Sequence, residues 1–368
     1  MNAYYIPLFV LSTLTYLENT NRLEKVIKNK LFYSLLALLF IIFIGLRSEV
    51  GCDWQRYKEM FDKFASMNFF DLLKFNYVEG PHRSNNSHIL QEMGHVIITS
   101  LAGNIYILNL IYSIIFVLPL FYYCSKIKRV YLSLLISYPY YIVVIGMGPI
   151  RQAACISILM ISIILIDTKK YFFHLFTTIF SLLIHQFSIL FNLLLVVPLF
   201  PKIIKNKFSK INIFLGFILV SLILYSLPSY IVKTYFYITL PSVDIGEAKG
   251  TIFVWLINFI PSLIFLFNIP NFKFNQNLKK IFFTFSVLEI GLLPLVFFKS
   301  VIAYRLLLYL FPSSIYITSY IPDLKIFDIK EKHFTILLIF ISFLSFIIWI
   351  NFAFHSYCWL PYKNIIFN

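Results

Sequence analysis

Thirty consecutive residues, Tyr171–Phe200, contain no Asp, Glu, Lys or Arg. Wound into one helix they would reach ~45 Å, against about 30 Å for the hydrocarbon core of a bilayer. One straight span is too long for that thickness. A turn at the polar pair His185-Gln186 divides the run into two crossings, and comparable apolar runs recur along the chain between short basic loops. Soluble domains carry roughly 25% charged residues. Here the figure is 13%, with 60% hydrophobic residues and a mean hydropathy of +0.83. No aqueous core buries that much apolar surface, so lipid has to solvate it. The sequence lacks the alternating segments of about ten residues that a β-barrel needs. The chain reads as an all-α polytopic integral membrane protein.

About twelve transmembrane helices are expected, at Met1–Leu17, Leu31–Leu46, Ile105–Cys124, Tyr131–Ile145, Ile150–Ile166, Tyr171–Ile184, Phe187–Phe200, Ile211–Leu227, Thr251–Asn268, Ile281–Phe298, Arg305–Ile321 and Phe334–Phe354. His88–Leu101, moderately apolar and containing Gln91, Glu92 and His95, reads as a re-entrant or interfacial helix. The loops then alternate in charge. Those at Arg22 to Lys30, Lys126 to Arg129, Lys169-Lys170, Lys202 to Lys210, Lys273 to Lys280 and Lys325 to Lys332 hold most of the 31 Lys and Arg. Cytoplasmic loops carry such an excess, so both termini are expected outside. The net charge of +15 belongs to these loops, and nucleic acid is not an expected partner. The N-terminus lacks the features of a cleavable signal peptide. Neither an internal repeat nor a low-complexity linker divides the chain, so one membrane-embedded domain over 1–368 is expected.

Past the second span the chain changes character within one turn, at Gly45-Leu46-Arg47-Ser48-Glu49-Val50-Gly51-Cys52-Asp53. Trp54, Tyr57, Phe61 and Phe64 then fall at helical spacing on one face, with Arg56, Glu59, Asp62 and Lys63 on the other. That pattern predicts an amphipathic helix on the membrane surface after span 2, with Arg47 and Asp53 at the mouth of the span. A solvated amphipathic linker has the same pattern.

In Gly146-Met147-Gly148-Pro149-Ile150-Arg151-Gln152, Pro149 is a favourable first helical residue and Arg151 lies in the first turn. The helix macrodipole is positive there, so a guanidinium and free backbone N–H groups together form an anion site. Snorkelling to lipid headgroups is the alternative for Arg151. Arg305, flanked by Tyr304 and Tyr309, is expected to start another span at its outer end, and Arg47 closes a third. Each alone reads as a headgroup anchor; three on one side make a clamp for a pyrophosphate. His185, at the turn of its hairpin, is either a satisfied structural residue or a base, with Asp53 as the competing base. Glu289 is the one acid expected deep inside a span, where a functional group and a neutral, hydrogen-bonded Glu are equally consistent. The outer loop Pro228–Gly250 places Tyr230, Tyr235, Phe236 and Tyr237 near Asp244 and Glu247, as sugar stacking or an interfacial aromatic belt would. Four cysteines show no metal or redox spacing; Cys52 and Cys358 fall on the same side, which permits a disulfide without requiring one.

The segment running through Arg47, Gly51, Asp53, Trp54, Tyr57 and Phe61 resembles the R-x-x-x-G-x-D-[WY]-x-x-Y-x-x-x-F pattern of the EpsG-type branch of the Wzy polysaccharide polymerases. Pro149-Ile150-Arg151-Gln152-Ala153, the His185 region, Tyr304-Arg305 with Tyr309, and Trp359-Leu360-Pro361-Tyr362-Lys363 are similar in the same order. The resemblance implies a GT-C-like architecture and a glycosyltransferase of the bacterial inner membrane with its active site facing outward. It implies polymerisation of undecaprenyl-pyrophosphate-linked oligosaccharide repeat units by block transfer, for O-antigen or capsule, with no metal or cofactor. The partners implied are that lipid-linked oligosaccharide, membrane lipid and a chain-length regulator. Mapped onto this chain, His185 or Asp53 is the catalytic base and Arg151, Arg305 and Arg47 bind pyrophosphate. Trp54, Gln152, Tyr304 and Trp359 contact sugar. Two other readings stay open. A flippase of the same lipid would favour related halves and charges at mid-membrane, and a membrane-bound acyltransferase would use a buried His on a span.

Overall fold

The structure, a computed structural model, describes residues 2–20, 29–65, 93–196, 248, 250–324 and 330–366. Among them every regular element is helical. The helices are α1 Asn2–Asn19, α2 Lys30–Gly45, α3 Trp54–Ala65, α4 Met93–Leu101, α5 Ile105–Cys124, α6 Val130–Ser137, α7 Ile150–Asp167, α8 Tyr171–Ile184 and α9 Ser188–Val196. After the undescribed stretch come α10 Thr251–Asn268, α11 Gln276–Gly291, α12 Leu293–Phe298, α13 Ser300–Leu308, α14 Phe311–Tyr320 and α15 Glu331–Phe352. Several start where Asn supplies the missing acceptor. Asn29, Asn104 and Asn275 cap α2, α5 and α11 by accepting from Leu31, Ile107 and Leu278 N–H at 2.8, 2.9 and 3.0 Å.

Four helices are long and apolar enough to cross a membrane: Ile105–Cys124, Ile150–Asp167, Thr251–Asn271 and Glu331–Phe352. The pair Ser300–Leu308 and Phe311–Leu324, bent by 56°, is either a fifth, broken span or a re-entrant loop. Lys30–Gly45, Val130–Ile145 and Tyr171–Ile184 are apolar but shorter. The chain is thus an all-helical membrane protein with four to five evident spans among the described residues, where twelve were expected. Span Ile211–Leu227, the end of Phe187–Phe200 and most of the loop Pro228–Gly250 lie outside the described residues.

Two expected spans are broken. Ile281–Phe298 is divided between α11 and α12, because Pro294 has no N–H to continue the ladder past Leu292. Arg305–Ile321 begins earlier, at Ser300, and stops at Tyr309-Leu310, where Pro312 enters the first turn of α14. Arg305 therefore stands in the last turn of α13, where a cation suits the helix dipole, rather than opening a span. Pro149 is the residue before α7 rather than its first residue.

At the centre, α6 runs into a π-helical stretch, Tyr138–Ile145, every residue of which is buried. The wider turn omits the N–H that Pro139 lacks, and such stretches often accompany functional sites. The buried α7 packs between α5 and α8. One end of the bundle is ionic. There Arg129 bonds Asp323, Glu331 and the Ser319 carbonyl, Lys128 pairs with Asp323 at 2.7 Å, and Glu18 caps the start of α6 at Val130 N–H, 2.8 Å. The opposite end gathers the start of α1 and α7, the ends of α2, α8 and α15, and the tail after α15.

Candidate functional site

The tail closes over the mouth of α2. Arg47 bridges to Asn364, Ile365 N–H donates to the Leu46 carbonyl at 2.9 Å, and Ser48 N–H to the Lys363 carbonyl at 2.9 Å. Gly51 N–H donates to the Cys358 carbonyl at 2.8 Å, and beside it Cys52 and Cys358 form a disulfide with Cα atoms 5.0 Å apart. Gly51 has φ +98°, and a Cβ there would stand 2.0 Å from the Met147 carbonyl oxygen. Only glycine lets the loop before α3 press so closely on the loop before α7. Trp359 wedges beneath that contact, donating Nε1–H to the Val143 carbonyl at 3.0 Å, and a Cβ at Gly148 would stand 2.7 Å from the Val144 carbonyl oxygen and 3.3 Å from the Trp359 ring.

The amphipathic helix forms as expected. Trp54, Tyr57, Met60 and Phe61 of α3 are buried while Gln55, Arg56, Lys58, Glu59 and Asp62 are exposed. Tyr57 meets Arg151, whose guanidinium carbon lies 5.6 Å from the ring centre, and the His95 ring at 6.1 Å. Burial pushes the Tyr57 phenol above its ordinary range, with Arg151 pulling the other way. Half-buried Asp53 begins α3, within electrostatic reach of Arg47, Tyr57 and Tyr304.

Arg47 differs from the other two arginines. It is 1% exposed and donates to the Ile44 carbonyl at 2.7 Å, the Val50 carbonyl at 3.1 Å and Asn109 Oδ1 at 3.2 Å, with its guanidinium 5.8 Å from the Trp54 ring centre. Burial draws its pKa down to about 10, opposed by the nearby Tyr57, Tyr362, Tyr4 and Asp53. It pins the loop; a ligand would have to displace those partners. Arg151 and Arg305 are half-buried, and their helices are locked together by Gln152, which donates to the Arg305 carbonyl at 2.7 Å. Tyr304, one residue before, receives a hydrogen bond from Tyr140 at 3.1 Å.

At the end of α8 the backbone turns extended at His185 (φ −154°, ψ 118°), and Ser188 N–H returns to the His185 carbonyl at 3.1 Å before α9 begins. His185 is 8% exposed, with Nδ1 2.9 Å from the Tyr309 hydroxyl; Tyr309 stacks on Phe191 at 4.6 Å. In the same turn Gln186 and Ser188 are buried, and neither amide atom of Gln186 nor the Ser188 hydroxyl has a hydrogen-bond partner among the described residues. The sequence offered no sign of this, nor of Asn109 holding Arg47, beyond an amide in an apolar run. Glu289, in the last turn of α11, is buried with both carboxylate oxygens unpartnered, and its carbonyl accepts from Trp255 at 3.3 Å. Two clefts, of about 770 and 1010 Å³, lie at the ionic end, both lined by Lys128, Glu331 and neighbours, and include none of the residues of this end.

The residues expected to act as base, to bind pyrophosphate or to contact sugar in this mapping therefore gather at one end of the bundle, from five separate segments: 47–61, 146–152, 185–191, 304–309 and 356–364; the aromatic and acidic residues of the loop Pro228–Gly250 lie outside the described residues. Half-buried guanidiniums, a buried imidazole and a carboxylate at a span end are suited to an anionic leaving group and to proton removal. No curated relative and no solved structure matches the chain. The family model described as the EpsG family matches residues 30–364, a stretch that includes all five segments. The chain belongs to the EpsG family.

Proposed function

We propose that the protein polymerises undecaprenyl-pyrophosphate-linked oligosaccharide units on the outer face of the bacterial inner membrane, as an O-antigen or capsular polysaccharide polymerase in a twelve-span, GT-C-like arrangement. The observation that carries this is the meeting of Arg151, Arg305, Asp53 and the His185–Tyr309 pair at one end of an EpsG-family bundle. The acceptor hydroxyl oxygen bonds to the anomeric carbon of the growing chain's reducing-end sugar. The bond from that carbon to the pyrophosphate oxygen breaks, its electrons leave with undecaprenyl pyrophosphate, and the hydroxyl proton passes to the base. In the tautomer whose Nδ1–H donates to the Tyr309 oxygen, 2.9 Å away, Nε2 of His185 is the basic nitrogen; Asp53 is the second choice. Arg151 and Arg305 stabilise the developing pyrophosphate charge in place of a metal. Arg47 positions the Asp53 loop rather than binding the leaving group. The Cys52–Cys358 disulfide supports an oxidising, outward compartment for this end.

Purified protein supplied with the lipid-linked unit from a strain lacking this gene should build a ladder of repeats, and should do so in EDTA. Lipid translocation without a ladder would identify a flippase instead, and transfer of labelled acyl groups an acyltransferase. Loss of the ladder in EDTA would remove the metal-free step alone.

A further inference from the structure

Buried side-chain amides and hydroxyls are almost always hydrogen-bonded, since one left unpaired gives up its hydration and gains no partner in return. The turn after His185 breaks that rule three times within three residues. Gln186 is 3% exposed with both Nε2 and Oε1 unpartnered, and Ser188 is 0% exposed with its hydroxyl unpartnered. Ser188 N–H bonds the His185 carbonyl at 3.1 Å, so the three residues form one compact turn beside Tyr309.

The donor inventory selects the ligand. A carboxamide offers one acceptor and two donors, and a hydroxyl offers both roles. Phosphate supplies only acceptors and would leave Gln186 Oε1 unpaired, whereas neighbouring sugar hydroxyls satisfy all three atoms. We propose that Gln186, with Ser188, is the binding site for a vicinal diol of the acceptor sugar, holding that diol beside the attacking hydroxyl while His185 takes the proton. This rests on the polymerase reading and extends it to the acceptor subsite. The turn is closed to solvent, so a hydroxyl enters only as these side chains change rotamer.

The test uses full-length protein and the lipid-linked unit from a strain lacking this gene, intact or after mild periodate oxidation, which cleaves vicinal diols and spares the pyrophosphate. Intact units should raise the wild-type Tm more than oxidised ones. Gln186→Met should leave the unliganded Tm equal or higher, because an unpaired amide is removed. It should also abolish the difference between the two ligands and raise KM for the acceptor roughly three- to tenfold per hydrogen bond lost, with kcat much less affected. Ser188→Ala should show the same pattern at smaller size. A lowered unliganded Tm with unchanged KM in both variants would mean that the turn is structural or holds only water, and the proposal would be wrong. Equal wild-type shifts with intact and oxidised units would also overturn the diol site. Absence of any ladder from wild-type protein would instead overturn the polymerase reading on which the site depends.

Discussion

Arg47 and Arg151 look alike in the sequence, each a lone guanidinium at the end of an apolar run, yet they answer to different physics. Arg47 fills the acceptors of Ile44, Val50 and Asn109 in a buried pocket. Its replacement by Lys loses the planar fork that reaches all three and strands buried carbonyls. Arg47→Lys should therefore cost about 1–3 kcal/mol of stability and lower Tm and membrane abundance. Arg151 is half-buried against the Tyr57 ring at the start of α7, where the helix dipole favours an anion rather than a cation. Arg151→Lys should keep insertion and abundance but lose most elongation, because ammonium does not reproduce bidentate contact with a pyrophosphate. Full elongation by that variant, measured as the polymer ladder at equal protein level, would reduce Arg151 to a headgroup anchor. The sequence placed both residues at helix ends, and there the structure has them. It could not separate them, because burial depends on Asn109, an amide 62 residues away.

At the scale of elements, periodicity was a dependable guide and breaks were not. The helix Trp54–Ala65 buries the aromatic face that its spacing predicts. The hairpin turn at His185-Gln186 is also where the polar pair marks it. The breaks at Pro294 and Pro312 were hidden because a proline inside an apolar run is compatible with either a kinked span or two helices. Gly51 belongs to this scale, since it sets how two elements meet. Gly51→Ala places a methyl against the Met147 carbonyl and forces a positive φ on a residue with a side chain. The backbone alone costs about 1–3 kcal/mol. The loop should part from the start of α7, with loss of both elongation and Tm. Gly250→Ala, where an added methyl meets no atom within 4 Å, is the control expected to leave both nearly unchanged.

Across the whole molecule the ionic end and the site end are distinct in chemistry. Lys128, Arg129, Lys273, Lys330 and Lys332 surround the former, while the disulfide closes the latter. Reporter fusions at Lys28, Lys205 and Lys279 should report cytoplasm, and those at Asn85 and Ile245 the outer side. An outer signal at Lys205 would overturn the hairpin at His185 and the side assigned to the site. Charge alternation is what predicts that orientation and puts the residues near positions 50, 150, 185, 305 and 360 on one side; which of them touch was not legible, because pairing between distant helices leaves no local periodicity. The tail at 356–364 contributes the wedge of Trp359, the partner cysteine and the strand-like bridge to Arg47. The disulfide in that tail joins residues 306 apart in sequence, so nearly the whole bundle lies inside one covalent loop. A chain cut once anywhere between Cys52 and Cys358 therefore stays one covalent species and separates into two fragments only on reduction.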